Sequence, residues 1–344
     1  MERIKTGRLA LVPDAENTRF ILCELQDNRT VGCVIVGPET GEISVRVDAN
    51  FRRMGYGMEA AKAAVWHGLE NLGLDVVSAR ADSQNPAARR ILEKLGFVEN
   101  AGEWRLYHTD RLDGPAWDVN DVANPERMGA FFDARADGYD AHMFSFGGGA
   151  SYAKLGACVP ETDFPIQILD IGCGTGIELD YIWRKAPNAR VTCVDLSRSM
   201  LELLVENHRT HLTQIEAVAA SYVDWDYPGS AFDLVVSSNT MHHFWEAEKV
   251  AVYKKILASL KPDGAYIESD FIVDAWCEKQ YRNRYELFVK NLGRAPGPGE
   301  FHIDIPFTIE RQTRLLREAG FRAVEVLDDS VRPQWSGAIL KAIK

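Results

Sequence analysis

Six cysteines are scattered through 344 residues, and no two form a Cys-x-x-Cys pair. Cys23, Cys33, Cys158, Cys173, Cys193 and Cys277 thus suggest neither a disulfide framework nor a zinc cage, and they read as reduced thiols. No apolar run approaches the length needed to span a bilayer. The opening Met1-Glu2-Arg3-Ile4-Lys5 leads into polar sequence without the apolar core of a signal peptide. These absences predict a cytoplasmic protein with no membrane partner. Positive charge is also scarce: the formal net charge is −11. Residues 1–115 carry 15 Lys and Arg against 17 Asp and Glu, and the remainder 24 against 33. Phosphate backbones are repelled by that balance, so nucleic acid is disfavoured as a partner. Internal repeats and low-complexity tracts are lacking too.

Present instead is the profile of an ordinary globular chain, 46% hydrophobic and 26% charged. The length suits two domains. Residues 8–48 read as short strands: Arg8–Val12, Phe20–Leu25, Val31–Val36 and Glu42–Asp48, separated by polar turns. A helix is predicted from Tyr56 to about Leu72 on the spacing of Ala60, Ala63, Ala64 and Leu69. Val76–Ala81 reads as a strand, and Pro86–Leu95 as a helix that Gly96 ends. The pattern lapses around 109–124, which divides the chain into a domain at 1–113, a linker at 114–124 and a domain at 125–344. In the second domain strands are expected at 166–171, 190–195, 214–219, 232–238, 264–271, 321–328 and 336–342. Helices fill the gaps, so the fold class is α/β with a doubly wound, seven-stranded sheet.

The most informative stretch is Ile166-Gln167-Ile168-Leu169-Asp170, a buried strand that runs into Gly172, Gly174 and Gly176. Glycines let backbone approach a ligand, and the helix after them aims free amides at it. About 20 residues on, a second strand ends at Asp195, where nucleotide-binding sheets carry an acid for a ribose hydroxyl. A dinucleotide fingerprint needs a third glycine at position 177, and that residue is Ile177. Asp170 would crowd a pyrophosphate but serves an ammonium-bearing ligand.

These residues resemble the first motif of the class I S-adenosylmethionine-dependent methyltransferases, and the resemblance covers roughly residues 125–344. Phe131 to Asp140 resembles the family's opening helix, where the resemblance implies that Arg135 and Tyr139 close over the methionine end. Ala231–Asn239 resembles the fourth strand, Met241-His242-His243-Phe244 the segment after it, and Leu257–Gly264 the turn before the fifth strand. Leu315–Phe321 resembles the last helix and the start of the sixth strand. The resemblance implies Asp170, Gly172, Cys173 and Gly174 for the methionine half of the cofactor. It implies Asp195 for the ribose, and Leu196, Met200, Ser221, Tyr222 and Asn239 around the rest. One position departs: the acid that holds the adenine amino group is replaced within Ala220-Ser221-Tyr222-Val223-Asp224, which leaves Ser221 or Asp224 for that contact.

In the first domain, Arg52-Arg53-Met54-Gly55-Tyr56-Gly57 lies between a strand and a helix, and its amides and arginines suit a pyrophosphate. With Asn85–Phe97 it resembles the GNAT superfamily of N-acetyltransferases, over about residues 6–112. The resemblance implies a mixed α+β sheet domain and acetyl-CoA on Arg52, Arg53, Gly55, Tyr56, Gly57 and Asn85. Two departures weigh against transfer. Only Pro13 to Thr18 separate the first strands where the family places two helices, and Leu92 stands near the usual general-acid tyrosine. Tyr107 and His108 read as acid/base groups or as plain strand residues.

The expected activity is methyl transfer from S-adenosylmethionine to a small molecule, on a chain that admits a homodimer. A bifunctional acetyltransferase and methyltransferase, or a non-catalytic cofactor sensor, are the rivals. His242 and His243 read as a general base with its orienter, or as a helix start with one ring packed and one solvated. His302 and Asp304, with Tyr281 and Tyr285 in a helical insertion at about 273–292, read as a lid or as a solvated amphipathic helix. No metal ligand set is expected.

Overall fold

The computed structural model describes residues 3–14, 19–82, 84–100, 102–107, 125–145, 148–329 and 336–344. The chain divides into two compact units, Met1–Leu112 and Asp113–Lys344. The expected linker lies outside the described residues.

In the first unit, strands β1 (Ile4–Lys5), β2 (Leu9–Pro13), β3 (Arg19–Glu24), β4 (Thr30–Val36) and β5 (Ile43–Val47) pair antiparallel in chain order. Phe20 and Leu22 turn inward while Arg19 and Ile21 stay exposed, the period of a one-sided sheet. β2 and β3 pair directly, from Leu9 opposite Glu24 to Pro13 opposite Phe20, which fits the short connection expected there. Helix α1 (Tyr56–Trp66) lays Ala60, Ala63 and Ala64 on the core, then widens into a π turn at His67–Asn71. Strand β6 (Val76–Arg80), helix α2 (Pro86–Lys94) and strands β7 (Val98–Asn100) and β8 (Glu103–Tyr107) follow. The last three strands form a second antiparallel sheet, ordered β6-β8-β7, which meets the first at a bridge between Glu42 and Ser78.

The second unit opens with helices α3 (Met128–Arg135), α4 (Tyr139–Ser145) and α5 (Gly148–Ala157). Its seven strands are β9 (Gln167–Ile171), β10 (Arg190–Asp195), β11 (Ile215–Ala219), β12 (Phe232–Ser238), β13 (Leu260–Ile272), β14 (Ala323–Asp328) and β15 (Ser336–Ile343). All seven expected strands are present, in the order β11-β10-β9-β12-β13-β15-β14. The first five run parallel, and β15 turns antiparallel to both β13 and β14. Helices α6 (Leu179–Lys185), α7 (Arg198–Asn207), α8 (Glu246–Ser259), α9 (Ala275–Leu292) and α10 (Ile309–Ala319) make the connections.

The central strands are apolar on both sides because helices cover both faces. On one face Ile168, Val191 and Leu234 pack with Leu179, Ile182 and Leu204. On the other, Leu169, Val235 and Tyr266 pack with Tyr253, Ile256 and Leu316. From β9 the chain steps outward to β10 and β11, then returns to β12 on the opposite flank of β9. Strand order therefore reverses between β9 and β12, and a crevice belongs at their carboxyl ends. Among the described residues no helix is long and apolar enough to cross a membrane.

Candidate active site

The glycine loop leaves β9 at that reversal. Gly172 N–H donates to Val194 O at 2.8 Å, and Gly176 N–H to Cys173 O at 2.8 Å. Asp195, at the end of β10, takes Gly174 N–H on one oxygen (2.9 Å) and Ser197 N–H on the other (2.8 Å). Ser197 in turn caps α7 by accepting Met200 N–H at 3.1 Å. The loop, the acid and the helix start thus hold one another.

Gly172 and Gly174 both take left-handed backbone, with φ of 66° and 51°. Their surroundings differ. A Cβ on Gly172 would lie 2.5 Å from Thr240 Cγ2 and Oγ1, whereas one on Gly174 meets nothing within 4 Å. Gly172→Ala is therefore expected to cost about 2–3 kcal/mol of stability from overpacking and backbone strain. Gly174→Ala is expected to cost only about 1–2 kcal/mol, because only the backbone strain applies. Its methyl group would occupy the cofactor's space, so the larger effect falls on S-adenosylmethionine affinity. Thermal unfolding and calorimetric titration of both variants check this, and full affinity in Gly174→Ala would remove the loop from the binding surface.

Asp170 is fully buried, and neither carboxylate oxygen has a hydrogen-bond partner. Burial first, then the nearby Glu178, pushes its carboxyl well above the usual range. Glu178, at the foot of α6, is pushed up to about 8, chiefly by burial and then by Asp195 and Asp140, against an opposing hydrogen bond from its own backbone. An orphaned carboxyl beside three more acids is a cation-seeking environment. It fits the ammonium and sulfonium of S-adenosylmethionine and opposes a pyrophosphate.

Helices α3 and α4 close this side. Asp133 on α3 accepts from Ser197 Oγ at 2.6 Å and from Ser199 N–H at 3.2 Å. Asp140 on α4 takes Thr175 Oγ1 on one oxygen and Asn207 Nδ2 (3.1 Å) on the other. Sequence reasoning missed Asp133 and Asp140 as ties because it read that stretch for Arg135 and Tyr139. Arg135 is instead paired with Glu126 at 2.9 Å, and its guanidinium lies 3.7 Å over the Phe131 ring. Tyr139 starts α4 with its ring edge-on to Phe132.

The other expected cofactor residues divide. Leu196 is 40% exposed at the loop edge, which suits packing against a base. Asn239 takes left-handed backbone (φ 50°) and bonds the buried Tyr152. Met200 and Tyr222 are buried, and Cys173 is buried against Cys193. Ser221 Oγ already accepts Val223 N–H at 3.3 Å, and Asp224 is exposed.

Immediately after β12 stand His242 and His243, both buried, which corrects the alternative of one packed and one solvated ring. His242 Nδ1 lies 2.6 Å from Asp270 Oδ1, on β13. Its Nε2 lies 3.5 Å from Asp304 Oδ1, and His243 Nδ1 lies 3.2 Å from the same oxygen and 3.4 Å from Ile303 O. His302 Nε2 is 4.0 Å from it, and the His302 ring stacks on Phe131 at 3.5 Å. Burial lowers the His242 pKa, but Asp270 and then Asp304 outweigh burial, and the net shift is upward. His243 is shifted down by burial and by His242, and His302 well down by burial and by His243.

The sequence assigned these histidines and Asp304 to separate roles; the fold makes them one cluster. Asp270 was missed. Its signal was there: Glu268 and Asp270 are acids in the buried half of the strand. α9 is amphipathic: Cys277, Tyr281 and Phe288 are buried while Lys279, Asn283, Glu286 and Lys290 face out.

In the first unit, Arg53 (φ 65°) and Gly55 (φ 87°) bend the loop ahead of α1. Arg52 Nε donates to Val47 O at 3.2 Å. The Tyr56 ring is buried and its hydroxyl bonds Glu24, which leaves its backbone for a ligand. A Cβ at Gly57 would make ordinary contact with Ile91 at 3.4 Å. Asn85 caps α2, its Oδ1 accepting Ala88 N–H at 3.1 Å. Leu92 and Tyr107 are buried, and His108 lies outside the described residues.

Fold and crevice have the layout of the class I S-adenosylmethionine-dependent methyltransferases. Residues 168–264 match the family model for a methyltransferase domain, and residues 2–98 match that for an acetyltransferase (GNAT) domain. The chain thus joins a GNAT-like domain to an S-adenosylmethionine-dependent methyltransferase domain. It is 24% identical over 172 residues to a carboxy-S-adenosyl-L-methionine synthase of Nautilia profundicola, covering 47% of this chain and 71% of that protein. It is 29% identical over 167 residues to a malonyl-[acyl-carrier protein] O-methyltransferase of Geobacter sulfurreducens, covering 48% and 59%. A solved 1,6-didemethyltoxoflavin-N1-methyltransferase of Burkholderia thailandensis, with S-adenosylhomocysteine bound, has a TM-score of 0.42 at 20% identity, covering 62% of this chain and 86% of that one.

Proposed function

We propose that the carboxy-terminal domain methylates a nucleophilic atom of a small polar molecule seated between the glycine loop and the His242–His243–Asp304 cluster. The observation that carries this reading is the orphaned Asp170 carboxyl at the strand-order reversal, with that cluster on the adjoining strand end. Bound S-adenosylmethionine supplies a methyl group on a sulfonium, which the acceptor atom takes in line as the carbon–sulfur bond breaks and the acceptor sheds its proton. Asp195 and the loop amides orient the cofactor, and Asp170 and Glu178 supply negative charge beside its cationic end. The buried cluster of imidazoles and carboxylates beside the acceptor eases the loss of its proton. α3 and α4, tied down by Asp133 and Asp140, exclude water. The enzyme's contribution is then mostly proximity and alignment.

The acidity of the second domain favours a small acceptor over a phosphate polymer. The test is calorimetric titration of the whole chain with S-adenosylmethionine, followed by a methylation screen across amines, hydroxyls and carbon acids. Saturable one-site binding with turnover on at least one acceptor class is expected. Binding without turnover across the panel would favour the sensor reading, and no binding would remove the methyltransferase reading.

A further inference from the structure

We infer that His242, His243 and Asp304 hold a divalent transition-metal ion of the zinc class, whose open coordination position takes a heteroatom of the acceptor. This rests on the methyltransferase reading only for the ion's use, not for its binding. Ligand atoms of the three residues lie within 4.8 Å of one another, and all three side chains are buried.

The two distances to Asp304 fit an ion. Metal–ligand bonds of about 2.0–2.2 Å in a tetrahedral site place ligand atoms roughly 3.3–3.6 Å apart. His242 Nε2 and His243 Nδ1 stand 3.5 and 3.2 Å from Asp304 Oδ1. Two imidazoles and one carboxylate are a common donor set for such ions, and three protein ligands leave a position for substrate. Two imidazole nitrogens, with a third at 4.0 Å, converge on one buried carboxylate oxygen, the arrangement an ion would hold together.

The outer contacts point the same way. His242 gives its other ring nitrogen to Asp270 at 2.6 Å, the carboxylate–histidine arrangement that fixes a ligating imidazole's tautomer and orientation. His302, 4.0 Å from Asp304, is stacked on Phe131, over which Arg135 lies, and lines the same space. Its Nδ1 is buried with no hydrogen-bond partner. The cluster follows β12, next to Thr240, which touches Gly172, so an ion here would sit beside the methyl donor. An acceptor atom bound to it would lose its proton more readily. The inference thus narrows the substrate to molecules that offer a metal-binding hydroxyl, thiol or nitrogen.

The test uses the full chain stripped with chelator and titrated with Co2+ and Zn2+. One ion per chain is expected, with the intense visible absorption of low-symmetry Co2+ that Zn2+ bleaches. Asp304→Asn and His243→Gln should abolish the Co2+ band. Asp270→Asn, which removes no ligand, should weaken binding about 10–100-fold. Titrating S-adenosylmethionine into each sample shows that the variants are folded and separates the two readings. Retained cofactor binding with no stoichiometric Co2+ uptake by the parent chain overturns the metal site and leaves the methyltransferase reading intact. Co2+ uptake unchanged by Asp304→Asn and His243→Gln overturns it as well. Should the variants lose cofactor binding, the parent's stoichiometry and the Asp270→Asn titration decide the matter.

Discussion

Asp195→Ala is expected to weaken S-adenosylmethionine binding about 100-fold. Two terms add. A carboxylate that accepts from a ribose hydroxyl contributes roughly 1.5–3 kcal/mol, because the acceptor is charged and shielded from water. The second term is the loop itself. Asp195 holds Gly174 N–H at 2.9 Å and Ser197 N–H at 2.8 Å, so its removal frees the turn and the start of α7 together. Asp195→Asn keeps one acceptor oxygen and should lose less. Calorimetric titration measures both, and unfolding temperatures separate lost contacts from lost structure. Affinity within threefold of the parent in a folded Asp195→Ala variant would take the ribose away from this residue. The same comparison with Ser221→Ala is expected to show little change, since that hydroxyl is already engaged by Val223 N–H.

Most of the second domain was legible because its signals are local. A buried strand, a glycine turn and an acid at the end of the next strand follow one another within 30 residues, and parallel strands read as apolar runs. All seven strands fell within a few residues of their expected places. The first domain's four main strands were legible from alternation in the same way, and its division into two sheets was not. That division is set by which edges pair, and β6 bonds to β8 far along the chain. The active-site cluster failed for the same reason. His242 and Asp304 are 62 positions apart, and neither spacing nor periodicity announces that a loop will return one to the other. Asp270 was hidden differently: in a buried strand an acid reads as an exception until its partner is seen. Tyr56 and Asn85 sit where a motif expects a ligand, and with the Tyr56 hydroxyl on Glu24 and the Asn85 amide oxygen on Ala88 N–H, that role falls to the backbone.

Cofactor binding at pH 7 is expected to release protons, and affinity should therefore rise with pH. In the free protein Glu178 titrates at about 8 and Asp170 is held well above the usual carboxyl range, both chiefly through burial. The groups facing them are Asp195, Asp140, Cys193 and the Tyr152 hydroxyl, which supply no positive charge. Glu178 is therefore largely protonated at neutral pH, and burial holds Asp170 toward its neutral form. A ligand with an ammonium and a sulfonium favours their ionised forms, so each carboxyl that ionises on binding yields one proton. Affinity gains up to about tenfold per pH unit for each proton released, and levels off as pH passes Glu178's own titration near 8. The stability of the free protein runs the other way. A carboxyl whose folded pKa is raised contributes stability that is fully present below its unfolded value of 4.5 and lost as pH climbs through about 8. The cofactor-free protein should accordingly melt at lower temperature at pH 8 than at pH 5, and the cofactor should restore more stability at the higher pH. Titration in two buffers of different ionisation enthalpy counts the protons directly. Glu178→Gln should remove part of the release, and Asp170→Asn should remove the rest together with much of the affinity. A parent protein that binds S-adenosylmethionine at pH 7 with no proton exchanged would show that these carboxyls do not face the cofactor's cationic end.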